Sequence, residues 1–189
     1  MKLGIMQPYF FPYLGYFQNI AATDVYVICD QVEYVKQGWM DRNQIAGNTN
    51  KGSVYFRPQV KKPKKSGFLI EEVKVSVDDY WRKKLLKSLW HTYNKAAHVD
   101  EIYPYLEDLI NYRPEKLSEF NFHAIQSICQ MLRIETRLLF NTPELQQVEE
   151  ELGELLKGYQ EDDPKIDRRQ VRVIEFCKRK QASQYINTV

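Results

Sequence analysis

Asp30, Arg42 and a group of early tyrosines are the residues here whose types and positions could do chemistry. An aspartate that ends a strand can act as a general base if its surroundings tune it, or can simply cap a turn. Arg42 carries a planar fork able to hold a carboxylate or phosphate by two bonds, and Asn43 beside it both donates and accepts. Trp39, just upstream, offers a stacking face. The plainer alternative pairs Asp41 with Arg42 on the surface and uses Trp39 to plug the core. Tyr9, Tyr13 and Tyr16 each combine an apolar ring with a hydroxyl, and Gly15 among them would let an anion or another backbone approach closely. Gln7 opens the same stretch.

The elements that must position these residues follow from the chain around them. Leu3 to Met6 is a short apolar run that enters the core at once as a strand. Gln7 to Pro12 contains two prolines, which fix φ and lack an N–H, so this stretch is neither helix interior nor central strand. Pro12 suits the first position of a helix running over about Tyr13 to Ala22. Strand, stiff aromatic loop and helix would then aim free N–H groups and a positive dipole end at whatever lies above the strand's carboxyl end. Asp24 to Asp30 reads as a second buried strand, closing a right-handed parallel unit. Asp30 lands at its carboxyl end beside the Gln7–Pro12 loop, where open α/β sheets bind ligands. The same prolines and rings could equally be packing.

Further along, Val32 to Lys36 alternates as a short strand and Gln37-Gly38 makes a turn. Gly47 to Gly52 forms a hairpin loop, Ser53 to Val60 is strand-like, Lys61 to Gly67 is a solvated basic loop, and Phe68 to Val77 holds another strand. Asp78 caps a helix with Trp81, Leu85, Leu89 and Tyr93 inward and a basic flank of Arg82, Lys83, Lys84 and Lys87. Tyr103-Pro104 starts a helical segment to about Asn111, and Glu115 to Leu132 is a second strong helix. Asn121 lies inside its apolar stripe, about 40° from Leu117. A polar group there either ties the helix to a loop backbone or faces a ligand. Ile134 to Phe140 is a late strand, Thr142 and Pro143 start an acidic helix, and Gln160 to Pro164 is a linker. The last helix, Arg168 to Lys180, turns Val171, Ile174 and Cys177 inward, and a strand begins at Gln184.

These elements predict an α/β fold, with a small, mostly parallel Rossmann-like sheet, flanking helices and a helical C-terminal half. One domain is expected over residues 1–189, with residues of about 78–133 a helical subregion. A net charge of +2 gives no reason to expect a nucleic-acid partner. The three cysteines, Cys29, Cys129 and Cys177, cannot all pair and lack metal-ligand spacing, so no metal site is expected and a reducing, cytoplasmic setting follows. No apolar run near ~20 residues indicates membrane insertion. His91 and His98 are surface or interface residues, which leaves a homo-oligomer open. No motif specifies a cofactor.

The run Gln7-Pro8-Tyr9-Phe10-Phe11-Pro12-Tyr13-Leu14-Gly15-Tyr16-Phe17 resembles the start of the WbqC-like family of bacterial proteins. The resemblance continues through Asp30, Tyr34, Gly38-Trp39, Arg42-Asn43, Ile45, Trp81 to Leu85, Leu117 to Asn121 and Tyr185-Ile186. It implies a transferase in O-antigen or other surface-polysaccharide synthesis, with a nucleotide-activated sugar as the small-molecule partner. Transfer of glycine or another aminoacyl group to an amino sugar is the activity it suggests. In that setting a diphosphate would lie near Tyr13 and Gly15, Trp39 and Tyr9 would flank a ring, Arg42 would clamp an anion and Asp30 would be the base. Alternatives are a non-catalytic sugar-nucleotide-binding or scaffold protein, or a nucleotidylyltransferase-like enzyme, since Tyr13-Leu14-Gly15-Tyr16 has the spacing of a His-x-Gly-His phosphate loop. Glu33 departs from the amide of the family pattern. Family members continue past Tyr185-Ile186 with a Gly-rich stretch, so the C-terminal end is expected to be truncated relative to them.

Overall fold

In a computed structural model the described residues are 1–47 and 52–187. In chain order the elements are β1 (Lys2–Met6), α1 (Leu14–Ala21), β2 (Val25–Ile28), β3 (Asn43–Ala46), β4 (Ser53–Phe56) and β5 (Val60–Lys61). A 3-10 turn (Ile70–Glu72), β6 (Lys74–Val75), α2 (Asp79–Tyr93), α3 (Val99–Asn111) and α4 (Leu117–Met131) follow. The chain ends with β7 (Arg137–Phe140), α5 (Pro143–Asp162), α6 (Arg168–Arg179) and β8 (Gln184–Tyr185). Two compact units result: one of residues 1–7, 13–31 and 129–189, the other of residues 8–12 and 32–128.

The first unit carries the parallel α/β sheet, in the order β7-β2-β1-β8. Leu3 to Met6 pairs in parallel with Val25 to Ile28, and those residues pair with Arg137 to Phe140. Strands covered on both faces must be apolar throughout, and Leu3, Tyr26, Val27 and Ile28 are fully buried. Gly4 is needed where it stands, because a Cβ there would lie 2.4 Å from the Tyr26 ring. Thr142 caps α5 by accepting the Leu145 N–H at 3.3 Å, with Pro143 at the first helical position. Asp167 caps α6 through a capping box with Gln170. On α6 the inward residues are Val171 and Phe176, whereas Ile174, expected inside, is 36% exposed. Helix α5 also runs on to Asp162, through half of the expected linker.

The second unit holds two antiparallel pairs, β3 with β4 and β5 with β6, and the helices α2, α3 and most of α4. The β3–β4 register carries the expected hairpin, whose loop at residues 48–51 lies outside the described residues. Val32 to Lys36 makes only a single bridge, Glu33 to Leu69, rather than a strand. The 53–60 stretch breaks after Phe56, and the strand expected within 68–77 is β6, preceded by the 3-10 turn. Pro58, which cannot donate to a ladder, separates β4 from β5, and the 3-10 turn at Ile70 confines the later strand to Lys74–Val75. Helix α3 starts at Val99, ahead of the expected Tyr103, and carries Pro104 inside it. The apolar spacing of Ile102, Leu106, Leu109 and Ile110 offsets a proline cost of roughly 3 kcal/mol. The basic loop is more tightly bound than a solvated tether, with Lys65 on Glu72 at 2.8 Å and Lys62 4.4 Å above the Tyr34 ring.

Arg82 is the largest departure on α2. Expected on a basic flank, it is 4% exposed and donates to the carbonyls of Ile110 and Tyr112, at the C-terminal end of α3. Its burial pushes the guanidinium pKa down, and the nearby Arg113 pushes the same way. One cation thus satisfies carbonyls that a helix end otherwise leaves unpaired. Arg82→Met should destabilise the protein by about 2 kcal/mol, because the buried Ile110 carbonyl and the half-buried Tyr112 carbonyl lose their donor. A chemical-denaturation midpoint unchanged by that substitution would refute this role.

Candidate functional site

The candidate residues divide between the two units. In the first, Asp30 stands two residues past the end of β2 and is 1% exposed. Its Oδ1 accepts from Asn141 Nδ2 at 2.5 Å, and its own N–H donates to Asn141 Oδ1 at 3.3 Å. Asn141 follows β7 and adopts a left-handed φ of +46°, a conformation that asparagine tolerates better than most residues. The pair therefore locks together the carboxyl ends of two neighbouring strands. Neither bond of the pair uses Asp30 Oδ2. Cys29 beside it is no nucleophile, since burial raises its thiol pKa to about 12. Sequence reasoning missed Asn141. Asn before Thr-Pro at the end of a strand was the signal available.

The same unit contains the first helix. Tyr13, not Pro12, precedes the first helical residue, so Pro12 stands one place before the cap. Its fixed φ sets the entry to the helix without occupying the first turn. Tyr13 is 57% exposed, and its ring lies against Gly15, where an added Cβ would come within 2.6 Å of it. The close approach expected at Gly15 is thus made by Tyr13 itself. Tyr16 is fully buried and its hydroxyl donates to the Gln7 carbonyl at 3.0 Å, tying α1 to the end of β1. With its hydroxyl used in this way, Tyr16 does not serve as the second polar arm of a phosphate loop. Gln7 is half-buried. β1, β2 and β7 progress in one direction, and β8 is laid on the far side of β1. The winding therefore reverses between β1 and β8, the position at which open α/β sheets bind ligands.

The second unit contains Tyr9, Trp39, Arg42, Asn43 and Asn121. Asn43 opens β3, and its Nδ2 donates to the carbonyls of Phe10, at 2.9 Å, and of Phe11. Asn121 on α4 is fully buried and donates to Pro8 O at 3.0 Å and to Met40 O at 2.8 Å. The Phe10 N–H donates to Trp39 O at 2.8 Å. The Pro8–Pro12 segment is therefore held by its own carbonyls and one amide, and Phe11 is kept at φ +49°. Of the two roles open to Asn121, the structure shows the tie to loop backbone. Tyr9 packs against the cluster of Tyr34, Met40, Phe68 and Leu117.

Neither half of the plainer alternative for Asp41, Arg42 and Trp39 is observed. Asp41 is 2% exposed and accepts from the Tyr34 hydroxyl, with Lys62 Nζ at 3.6 Å. Burial, followed by that aspartate, drives the Tyr34 pKa far above its ordinary value, so its hydroxyl stays a donor. Trp39 is 42% exposed rather than in the core. The Arg42 guanidinium lies 5.3 Å from the Trp39 ring centroid and 5.1 Å from that of Tyr55. Tyr55 was not anticipated, because only the β3–β4 register, Gln44 opposite Tyr55, brings it there.

Comparison with known proteins decides the lineage. A model of the WbqC-like protein family matches residues 7–189, nearly the whole chain. The chain belongs to the WbqC-like family. The uncharacterized protein Rv1507c of Mycobacterium tuberculosis is 32% identical over 138 residues, covering 72% of this chain. This WbqC-like chain spans 58% of that relative's length. No solved structure matches. Among the described residues no helix is long and apolar enough to cross a membrane.

Proposed function

We propose that this WbqC-like protein is a transferase of surface-polysaccharide synthesis, binding a nucleotide-activated amino sugar and passing it glycine or another aminoacyl group. The observation that carries the reading is the reversal of winding between β1 and β8, with α1 following from β1. A crevice at such a reversal, beside a helix N-terminus, suits a nucleotide diphosphate. The diphosphate lies at the start of α1, near Tyr13 and Gly15. Asp30, fixed by Asn141, takes the proton from the acceptor amine as the amine nitrogen bonds to the carbonyl carbon of an already activated aminoacyl donor and the donor's activating group leaves with the electron pair of the broken bond.

The test is calorimetric titration of the purified chain with amino sugars activated by uridine, thymidine or guanosine diphosphate. One of these should bind, and Gly15→Val should weaken it by about tenfold or more, since its side chain displaces the Tyr13 ring from the place it holds at the start of α1. Valine is no worse in a helix than glycine, so the melting temperature should hold. Sugar nucleotides that never bind, or that bind the Gly15→Val protein equally well, would sink the reading.

A further inference from the structure

Helices α2 and α3 carry opposite charge on neighbouring stripes. On α2 the positions Lys83, Lys87 and Trp90 recur at helical spacing and share one side, and on α3 Asp100, Tyr103 and Glu107 do the same. The stripes meet where Trp90 stands edge-on to Tyr103, with ring centroids 5.1 Å apart. All four charged residues are exposed. Among the described residues the ion pairs on these helices are His98 with Glu101 and Arg113 with Asp79, so the stripe charges go unpaired. The seam between the helices is apolar, and Trp90 is 42% exposed on it. Toward the turn it widens into a cavity of about 350 Å³, lined on α2 by Leu89 and Tyr93 and on α3 by Val99, Ile102, Tyr103 and Leu106. Both tyrosines give it their rings only, because the Tyr93 hydroxyl accepts the Ala46 N–H at 3.1 Å and the Tyr103 hydroxyl donates to Leu86 O at 3.2 Å. An apolar hollow of this kind gives water almost nothing to bond, and exposed apolar surface rimmed by charge marks a contact site.

We infer that this face binds a second copy of the same chain. A two-fold axis running along the α2–α3 seam lays α2 of each copy on α3 of the other, and a surface that meets itself in this way must be self-complementary. The charges meet that condition. Lys83 and Lys87 of one copy face Asp100 and Glu107 of the other, and symmetry repeats the pairing. Trp90, Tyr103 and the cavity walls lie along the seam, so the contact has an apolar centre and a charged rim. A partner of single sign fits less well. A polyanion is repelled by the carboxylate stripe and a basic protein by the lysine stripe, whereas a second copy satisfies both.

Sedimentation equilibrium of the full chain is the test. The unaltered protein should dimerise with a Kd in the micromolar range, and raising sodium chloride from about 0.05 to about 0.5 M should weaken it about tenfold, because the rim pairs are screened. A chain carrying Lys83→Glu and Lys87→Glu is negative on both helices, and its Kd should rise by about thirtyfold or more. A chain carrying Asp100→Lys and Glu107→Lys is positive on both and should lose as much. Mixed in equal amounts, the two should form a heterodimer at close to the parental affinity, since each negative helix again meets a positive one. Misfolding cannot produce that rescue. Should either double variant fail to fold, Lys87→Glu and Glu107→Lys alone are mixed in its place. Variants that dimerise as the parent does, or a mixture that stays monomeric, would overturn the inference. A parent that stays monomeric would overturn it too, and would leave the cavity to a small apolar ligand.

Discussion

Asn121→Asp is expected to cost about 4 kcal/mol of unfolding free energy, a loss on the order of 10 °C in melting temperature. The two side chains have the same shape, so packing is unchanged. The difference lies in one atom: the Nδ2 donor, 3.0 Å from Pro8 O and 2.8 Å from Met40 O, becomes a carboxylate oxygen facing two carbonyl oxygens. The site is fully buried, so water cannot relieve the clash. Protonation can, by restoring one donor. The deficit should therefore shrink in acid and widen as pH rises and the new carboxyl ionises. Denaturant melts at acid and neutral pH would show this, and a variant as stable as the parent at neutral pH would mean that Asn121 does not hold the loop.

Asp30→Asn should lower turnover by about 10²–10⁴-fold, the range expected for loss of a positioned base, while sugar-nucleotide affinity stays close to that of the parent. The replacement keeps an oxygen to accept from Asn141 Nδ2, so the brace between β2 and β7 survives. Binding and activity are thereby separated. If the variant turned over within tenfold of the parent, Asp30 would be a brace and nothing more. If the parent bound sugar nucleotides and never turned over, the scaffold reading would replace the transferase.

What could be foreseen from the residues depended on how far away their partners were. β1, β2 and β7 announced themselves by apolar runs, and the caps at Asp78 and Thr142 by local chemistry, since each accepts an N–H three residues on. Arg82 did not, because its acceptors lie 28 and 30 residues away and helical spacing alone put it among lysines. Asn141 was hidden for the same reason, with 111 residues separating it from Asp30. Asp41 looked like a surface partner for its neighbour until a tyrosine seven residues back claimed it. Arg42 and Trp39 were legible as a pair, whereas the second ring depended on hairpin register. Ile174 and Phe176 show the weakness of reading one helix face from few apolar residues.

The order in which the sheet can be completed also has a consequence. β1 is the second strand from one side, and its outer neighbour is Gln184–Tyr185, paired with Lys2 and Leu3. Its inner neighbour β2 must wait for Arg137 to Phe140. While the ribosome is still at work, β1 therefore carries an open flank until Gln184 and Tyr185, about 180 residues later, have been made. Such a flank is a template for pairing with other nascent chains. A protein built this way should depend on chaperones or dilution while it is being born, more than its finished form would suggest.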